Sequence, residues 1–215
     1  QDLVLMRTVL LTLLASTVLA FTGAAAFLYS GIYNVAATDP HWPATHWLME
    51  TARMRSIQAH AADIAVPANL SDEARIINGT EHFAAHCASC HSAPGVPRGE
   101  SAEGMYPKPP ALSDATKRYS DAQLFWILKN GIKMSGMPSW ADHGNEELWD
   151  VVAFLRKLDG MTSEQYGGLV MKTIMRGGQH HHAAAEAETG AGEAHGDHQS
   201  MPGMIPSEAA DDHHH

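Results

Sequence analysis

Five consecutive residues, Cys87-Ala88-Ser89-Cys90-His91, combine two thiols one helical turn apart with an imidazole directly after them. This is the C-x-x-C-H pattern to which a c-type haem is attached. The thiols become thioethers, and the imidazole next in the chain is carried to the iron. Two other chemistries use a C-x-x-C pair, a redox dithiol and half of a zinc site. A zinc site needs two more ligands at similar spacing, and the chain has no third cysteine. A thioredoxin-like dithiol belongs in a βαβ pattern, which the sequence does not offer. Because 15 of the 215 residues are histidine, a chance His after the pair has some weight, and the rest of the chain must bear on the assignment.

A second chemical stretch is Gly131-Ile132-Lys133-Met134-Ser135-Gly136-Met137-Pro138-Ser139-Trp140. A haem iron that carries electrons takes a second axial ligand, and a thioether suits one that must hold iron in both oxidation states. Met137 is the candidate, with Pro138 stiffening the backbone after it. Met134, three residues earlier, and His143 are the alternatives. With eleven methionines in the chain, most are expected to be core or membrane filler.

Composition divides the chain that must position these residues. Residues 1–38 are strongly apolar, 39–160 mix apolar with charged residues, and the segment after Gly177 is mostly Ala, Gly, Glu and His. The formal charge of −10 is shared as −1 over residues 1–70, −3 over 71–160 and −6 over 161–215. Clustered Lys and Arg are missing, which argues against a nucleic-acid partner.

Between Arg7 and Asp39 no charged residue occurs, and Thr8 to Tyr29 is a run of 22 mostly apolar residues. As a helix this is about 33 Å, enough to cross a hydrocarbon core of about 30 Å. A transmembrane anchor is expected over residues 1–38. A cleaved signal with its small-residue site at Ala24 and Ala26 is the competing reading, but the run exceeds the usual length of such a segment. Arg7 points that end toward the cytoplasm. Residues 39–70 form a juxtamembrane region. Trp42 and Trp47 suit an interfacial belt, and Thr45 is expected to cap a helix from His46 to about Ala62 that lies on the membrane surface or packs on the next domain.

From Ser71 to Gly160 the pattern predicts a small helical domain. Ser71 is expected to cap a helix through Ile76, Gly79 and Phe83 that leads into Cys87. Pro94 to Pro110 is expected to be a loop with little helix. Ser120 and Gln123 form a capping box for a helix ending at Gly131. Asn145 is expected to cap a last helix with Glu146 and Glu147 in its first turn, Leu148, Val151, Val152 and Leu155 on its apolar side, and Arg156 and Lys157 in its last turn.

These motifs together resemble class I cytochromes c over about residues 71–160. Gly79 and Phe83, just ahead of Cys87, are similar to the family's close crossing of first and last helices. Met105 to Leu112 resembles its haem-edge loop, with Pro110 and Leu112 as packing residues, and Gly136-Met137-Pro138 resembles its distal-ligand loop. The resemblance implies one haem c bound through Cys87 and Cys90, with His91 and Met137 on the iron. It also implies an all-α fold, an anchored haem domain on the periplasmic side of a bacterial inner membrane, and electron exchange with redox proteins such as a quinol-oxidising complex, a dehydrogenase or a terminal oxidase. A fixed subunit of a larger oxidoreductase complex, and a haem sensor or metal-handling protein, are the other two readings.

Residues 161–215 are expected to hold one short helix, 163–176, which folds back on the domain or the membrane, followed by a disordered tail. Eight histidines lie in that tail, at 180–182, 195, 198 and 213–215. Their density, with Met201 and Met204, fits either weak Cu or Zn binding or a solvated acidic tether.

Overall fold

The computed structural model describes residues 1–189, with side chains through Arg176. It is all-helical: α1 Asp2–Ser30, α2 Pro43–His60, α3 Glu73–His86, α4 Ala88–His91, α5 Glu100–Glu103, α6 Leu112–Arg118, α7 Asp121–Asn130, α8 Asn145–Lys157 and α9 Ser163–Thr189. Gln1–Ile174 form one compact unit, and a second begins at Met175.

The 29-residue helix α1 extends past the expected Thr8–Tyr29 run at both ends. It buries none of its side chains in the protein and is long and apolar enough to cross a membrane. An anchor requires that exposure, because a bare apolar helix is stable only where lipid covers it. At its exit an aromatic cluster gathers: Trp42 packs 5.9 Å from Phe27 and 5.2 Å from Tyr33, measured between ring centroids.

The core forms where α3 and α8 cross. In α8, Leu148, Val151, Val152 and Leu155 recur at the helical period and are all buried. Phe83 on α3 meets Phe154 on α8 with ring centroids 4.8 Å apart, and neither ring is exposed. The crossing is close because Gly79 presents no side chain to α8, as the sequence predicts. Beside it, α7 stacks Phe125 on Trp149 at 4.2 Å. Arg156 then ties the end of α8 to α7 and α6 by bonding the Asp121 carboxylate and, at 2.8 Å, the Tyr119 carbonyl.

Several expected caps are corrected. The Ser120–Gln123 box forms reciprocally, with Gln123 N–H donating to Ser120 Oγ at 3.3 Å and Ser120 N–H donating to Gln123 Oε1 at 3.0 Å. Ser71 does not cap α3, whose N-cap is Asp72. Asn145 lies inside α8, behind Gly144, and accepts a bond from Lys129 Nζ at 2.9 Å instead. Pro43 at the first position of α2 starts that helix before Thr45, since its fixed φ suits N1. The Pro-rich segment after His91 is less irregular than expected, because it contains the single turn of α5.

The two open questions of packing resolve toward the domain. The C-terminal half of α2 packs on α7, with Ile57 and Ala61 buried and His60 against Trp126. Trp47 and Leu48 in its first half stay exposed. The start of α9 folds back on the core through Tyr166, whose ring faces Phe83 and Phe154. Lys172 pairs with Glu73 at 2.9 Å. The helical backbone of α9 runs on to Thr189, beyond the expected 176. That corrects the disorder expected after Gly177 as far as Thr189; the rest of the expected disorder and the metal binding of the His-rich tail concern side chains and residues outside those described.

Candidate haem site

The C-x-x-C-H stretch sits where α3 passes into α4. Cys87 closes the last turn of α3, its N–H bonded to Phe83 O at 2.9 Å, and His91 N–H bonds back to Cys87 O at 2.9 Å. That turn places Cys87, Cys90 and His91 on the wall of one cavity of about 370 Å³, within the roughly 300–1,000 Å³ usual for ligand sites. Pro110, Leu112 and Met137 line the same cavity, so all six residues singled out in the sequence meet there. Leu124, Leu128, Ile132, Val151 and Leu155 add apolar wall from α7, α8 and the loop between them.

His91 is oriented by the backbone of the Pro-rich loop. Its Nδ1–H donates to the Pro110 carbonyl at 2.8 Å, which leaves Nε2 as the nitrogen with a free lone pair. Burial lowers its pKa, opposed by the bond to Pro110 and aided by the charge of Arg98, so the ring is the neutral imidazole a metal needs. Burial, with a smaller contribution from Cys90, pushes the Cys87 thiol up to about 12. A redox dithiol is favoured by the opposite shift.

The Met137 segment is laced to α7. Gly131, at φ +66°, turns the chain so closely past Pro138 that a Cβ would lie 2.6 Å from its carbonyl carbon. Ile132 N–H then bonds Met137 O at 3.1 Å, Met137 N–H bonds Ser135 Oγ at 3.2 Å, and Trp140 N–H bonds Leu128 O at 3.1 Å. Met134 is 77% exposed and does not line the cavity. His143 does not line it either. Its Nδ1 faces Glu147 Oε1 at 3.2 Å.

Lining residues that sequence reasoning did not single out include Arg53, His86, Lys108, Tyr119 and Trp140. Lys108 and Trp140 lie inside stretches already marked as chemical, and a tally of their polar and aromatic members would have found them. Arg53 comes from α2, outside the domain, and no local signal marks it. Its Nε is buried without a hydrogen-bond partner, although its guanidinium also pairs with Glu50. The set fits a haem: apolar walls for the porphyrin, two thiols and an oriented imidazole on one side, a thioether in the lining, and an unsatisfied guanidinium N–H for a carboxylate.

Residues 74–155 match the family model for cytochrome c oxidase, cbb3-type, subunit III. No curated protein matches the chain. With one C-x-x-C-H in the sequence, an all-helical fold and a cavity of this chemistry, residues 74–155 belong to the c-type cytochromes, electron carriers with a covalently bound haem c.

Proposed function

We propose that this protein is a mono-haem electron carrier tethered to a bacterial inner membrane, its haem domain in the periplasm. Cys87 and Cys90 would hold the haem covalently, and His91 and Met137 would ligate its iron. The observation that carries the reading is the single cavity lined by both cysteines, by a His91 whose Nδ1 is committed to Pro110 O, and by Met137. When bound, the haem supplies a one-electron iron couple, and thioether ligation raises its potential.

The chain's own residues do the rest. Pro110 orients His91 and, with Leu112, walls the cavity. Three loop hydrogen bonds fix Met137. Arg53 and Lys108 offer positive charge to the haem carboxylates. With His91 and Met137 both on the iron, no coordination site would remain for a substrate, which suits a relay. The apolar helix α1 supports tethering, and a tether raises the effective concentration of the carrier near membrane-bound partners such as a quinol-oxidising complex, a dehydrogenase or a terminal oxidase. Covalent haem attachment outside the cytoplasmic membrane supports a periplasmic haem domain, with Arg7 on the cytoplasmic side.

The test uses the full chain matured with haem-attachment machinery. Its mass should include one haem, its oxidised spectrum should show a methionine–iron charge-transfer band, and its reduced form should resist carbon monoxide. Ready carbon monoxide binding by the reduced wild type would sink the two-ligand assignment. A second reading, a fixed subunit of an oxidase complex, draws support from the description of the matching family. Co-purification with other subunits in fixed stoichiometry after detergent extraction would favour it over a free carrier.

A further inference from the structure

Beside the haem cavity, and outside its lining, α3 and the start of α8 bring together His82, His143 and Glu147. Their potential ligand atoms all lie within 4.8 Å of one another. Two imidazole nitrogens converge on one oxygen: His82 Nδ1 is 2.8 Å and His143 Nδ1 3.2 Å from Glu147 Oε1. A third imidazole, His86, stands one helical turn beyond His82 with ring centroids 4.7 Å apart. The Trp140 ring packs 5.7, 5.3 and 5.3 Å from the rings of His82, His86 and His143 and walls the group.

We propose that His82, His143 and Glu147 form a site for a divalent cation of the zinc class, which clamps α3 to the segment entering α8. Tetrahedral zinc with bonds of about 2.0–2.2 Å sets its ligand atoms about 3.3 Å apart. Each nitrogen therefore needs to move by only a few tenths of an ångström relative to Glu147 Oε1, while the two nitrogens close on each other from within 4.8 Å. Two imidazoles and one carboxylate leave a position open, for water or for His86. Imidazole nitrogen also favours zinc over magnesium or calcium, which take oxygen.

His82 is 7% exposed, and each Nδ1 faces a carboxylate oxygen, which can only accept, so each ring presents its Nδ1 proton to Glu147. Cation binding would move that proton to Nε2 of the same ring and free the Nδ1 lone pair for the cation.

The experiment is isothermal titration of Zn2+ into the full-length, haem-loaded, chelator-treated protein, comparing wild type with His143→Ala and Glu147→Gln. Both substituted side chains are solvent-accessible, 29% and 48%, so the variants should fold, and circular dichroism checks that they do. The His-rich tail is the same in all three and supplies a common background. Wild type should show one site weakened about tenfold or more in each variant, and excess Zn2+ should raise the unfolding midpoint of wild type more than that of either variant. Superimposable isotherms from the three proteins would overturn the site. The readout needs no electron transfer, so it stands apart from the assignment of the haem ligands.

Discussion

A Cβ built on Gly79 would lie 1.9 Å from the backbone carbonyl oxygen of Asp150, so α3 and α8 are in contact through bare main chain at that point. The obstacle is backbone and not the end of a flexible side chain, so it cannot turn aside. Gly79→Ala must therefore push the two helices apart beneath the haem cavity. Overpacking of this kind costs about 3 kcal/mol or more. For a domain of this size that is a fall in thermal midpoint of more than about 10 °C, readable by circular dichroism on the haem-loaded protein. A variant within a few degrees of wild type would show that the crossing is looser than described.

The same crossing is pinned by charge. Arg75 on α3 donates to Asp150 Oδ1 at 2.7 Å, with both side chains 13% exposed, and Asn78 Nδ2 reaches the other oxygen at 3.1 Å. A hydrogen bond to Glu146, set against burial and joined by the bond to Asp150, raises the Arg75 pKa. Asp150→Ala leaves a largely buried guanidinium with only Glu146, and should cost about 2 kcal/mol in denaturant unfolding. In a double-mutant cycle with Arg75→Met the two losses should be far from additive. Additive losses would mean that the pair contributes nothing as a pair.

Local chemistry was legible in the sequence, and distant packing was not. Cys87 to His91 and the Ser120–Gln123 box show because each is written within a few residues, and the Gly79 crossing shows only through the resemblance of Gly79 and Phe83 to a family pattern. Ser71, Thr45 and Asn145 were misread as caps for one reason. Several polar residues stood near each helix start, and the winner depends on neighbours outside the window. Pro43 moved the start of α2, and Lys129 on α7 drew the Asn145 side chain away. Arg53 is the extreme case, because it reaches the cavity only through the packing of Ile57 and Ala61 on the domain, which no periodicity records. The His82–His143–Glu147 group was hidden likewise, its members lying on two elements brought together by the α3–α8 crossing.

The loop of the proposed second ligand offers a comparison between neighbours. Met137 lines the cavity, whereas Met134 is exposed with its backbone at φ +60°. Met137→Ala should abolish the methionine–iron band, admit carbon monoxide to the reduced protein and lower the potential by on the order of 100 mV. Met134→Ala should change none of these. If the two variants behave in the reverse sense, the ligand is Met134 and the loop must rearrange when haem binds.

Arg53 links α2 to the haem cavity. It lines the cavity, its Nε lacks a partner, and Glu50 beside it also bonds Arg118 at 3.1 Å on α6. A positive charge near the haem carboxylates favours the reduced form, which carries one unit less positive charge. Arg53→Met keeps much of the apolar stem and removes that charge. The potential should therefore fall by tens of millivolts, the scale of one screened unit charge at roughly nanometre distance. Equilibrium redox titration at low and high salt measures the effect. Most of the shift should survive in high salt, because a partly buried charge is poorly screened. An unchanged potential, in a variant that keeps its methionine–iron band and its thermal midpoint, would remove Arg53 from the haem site and leave α2 a structural role alone.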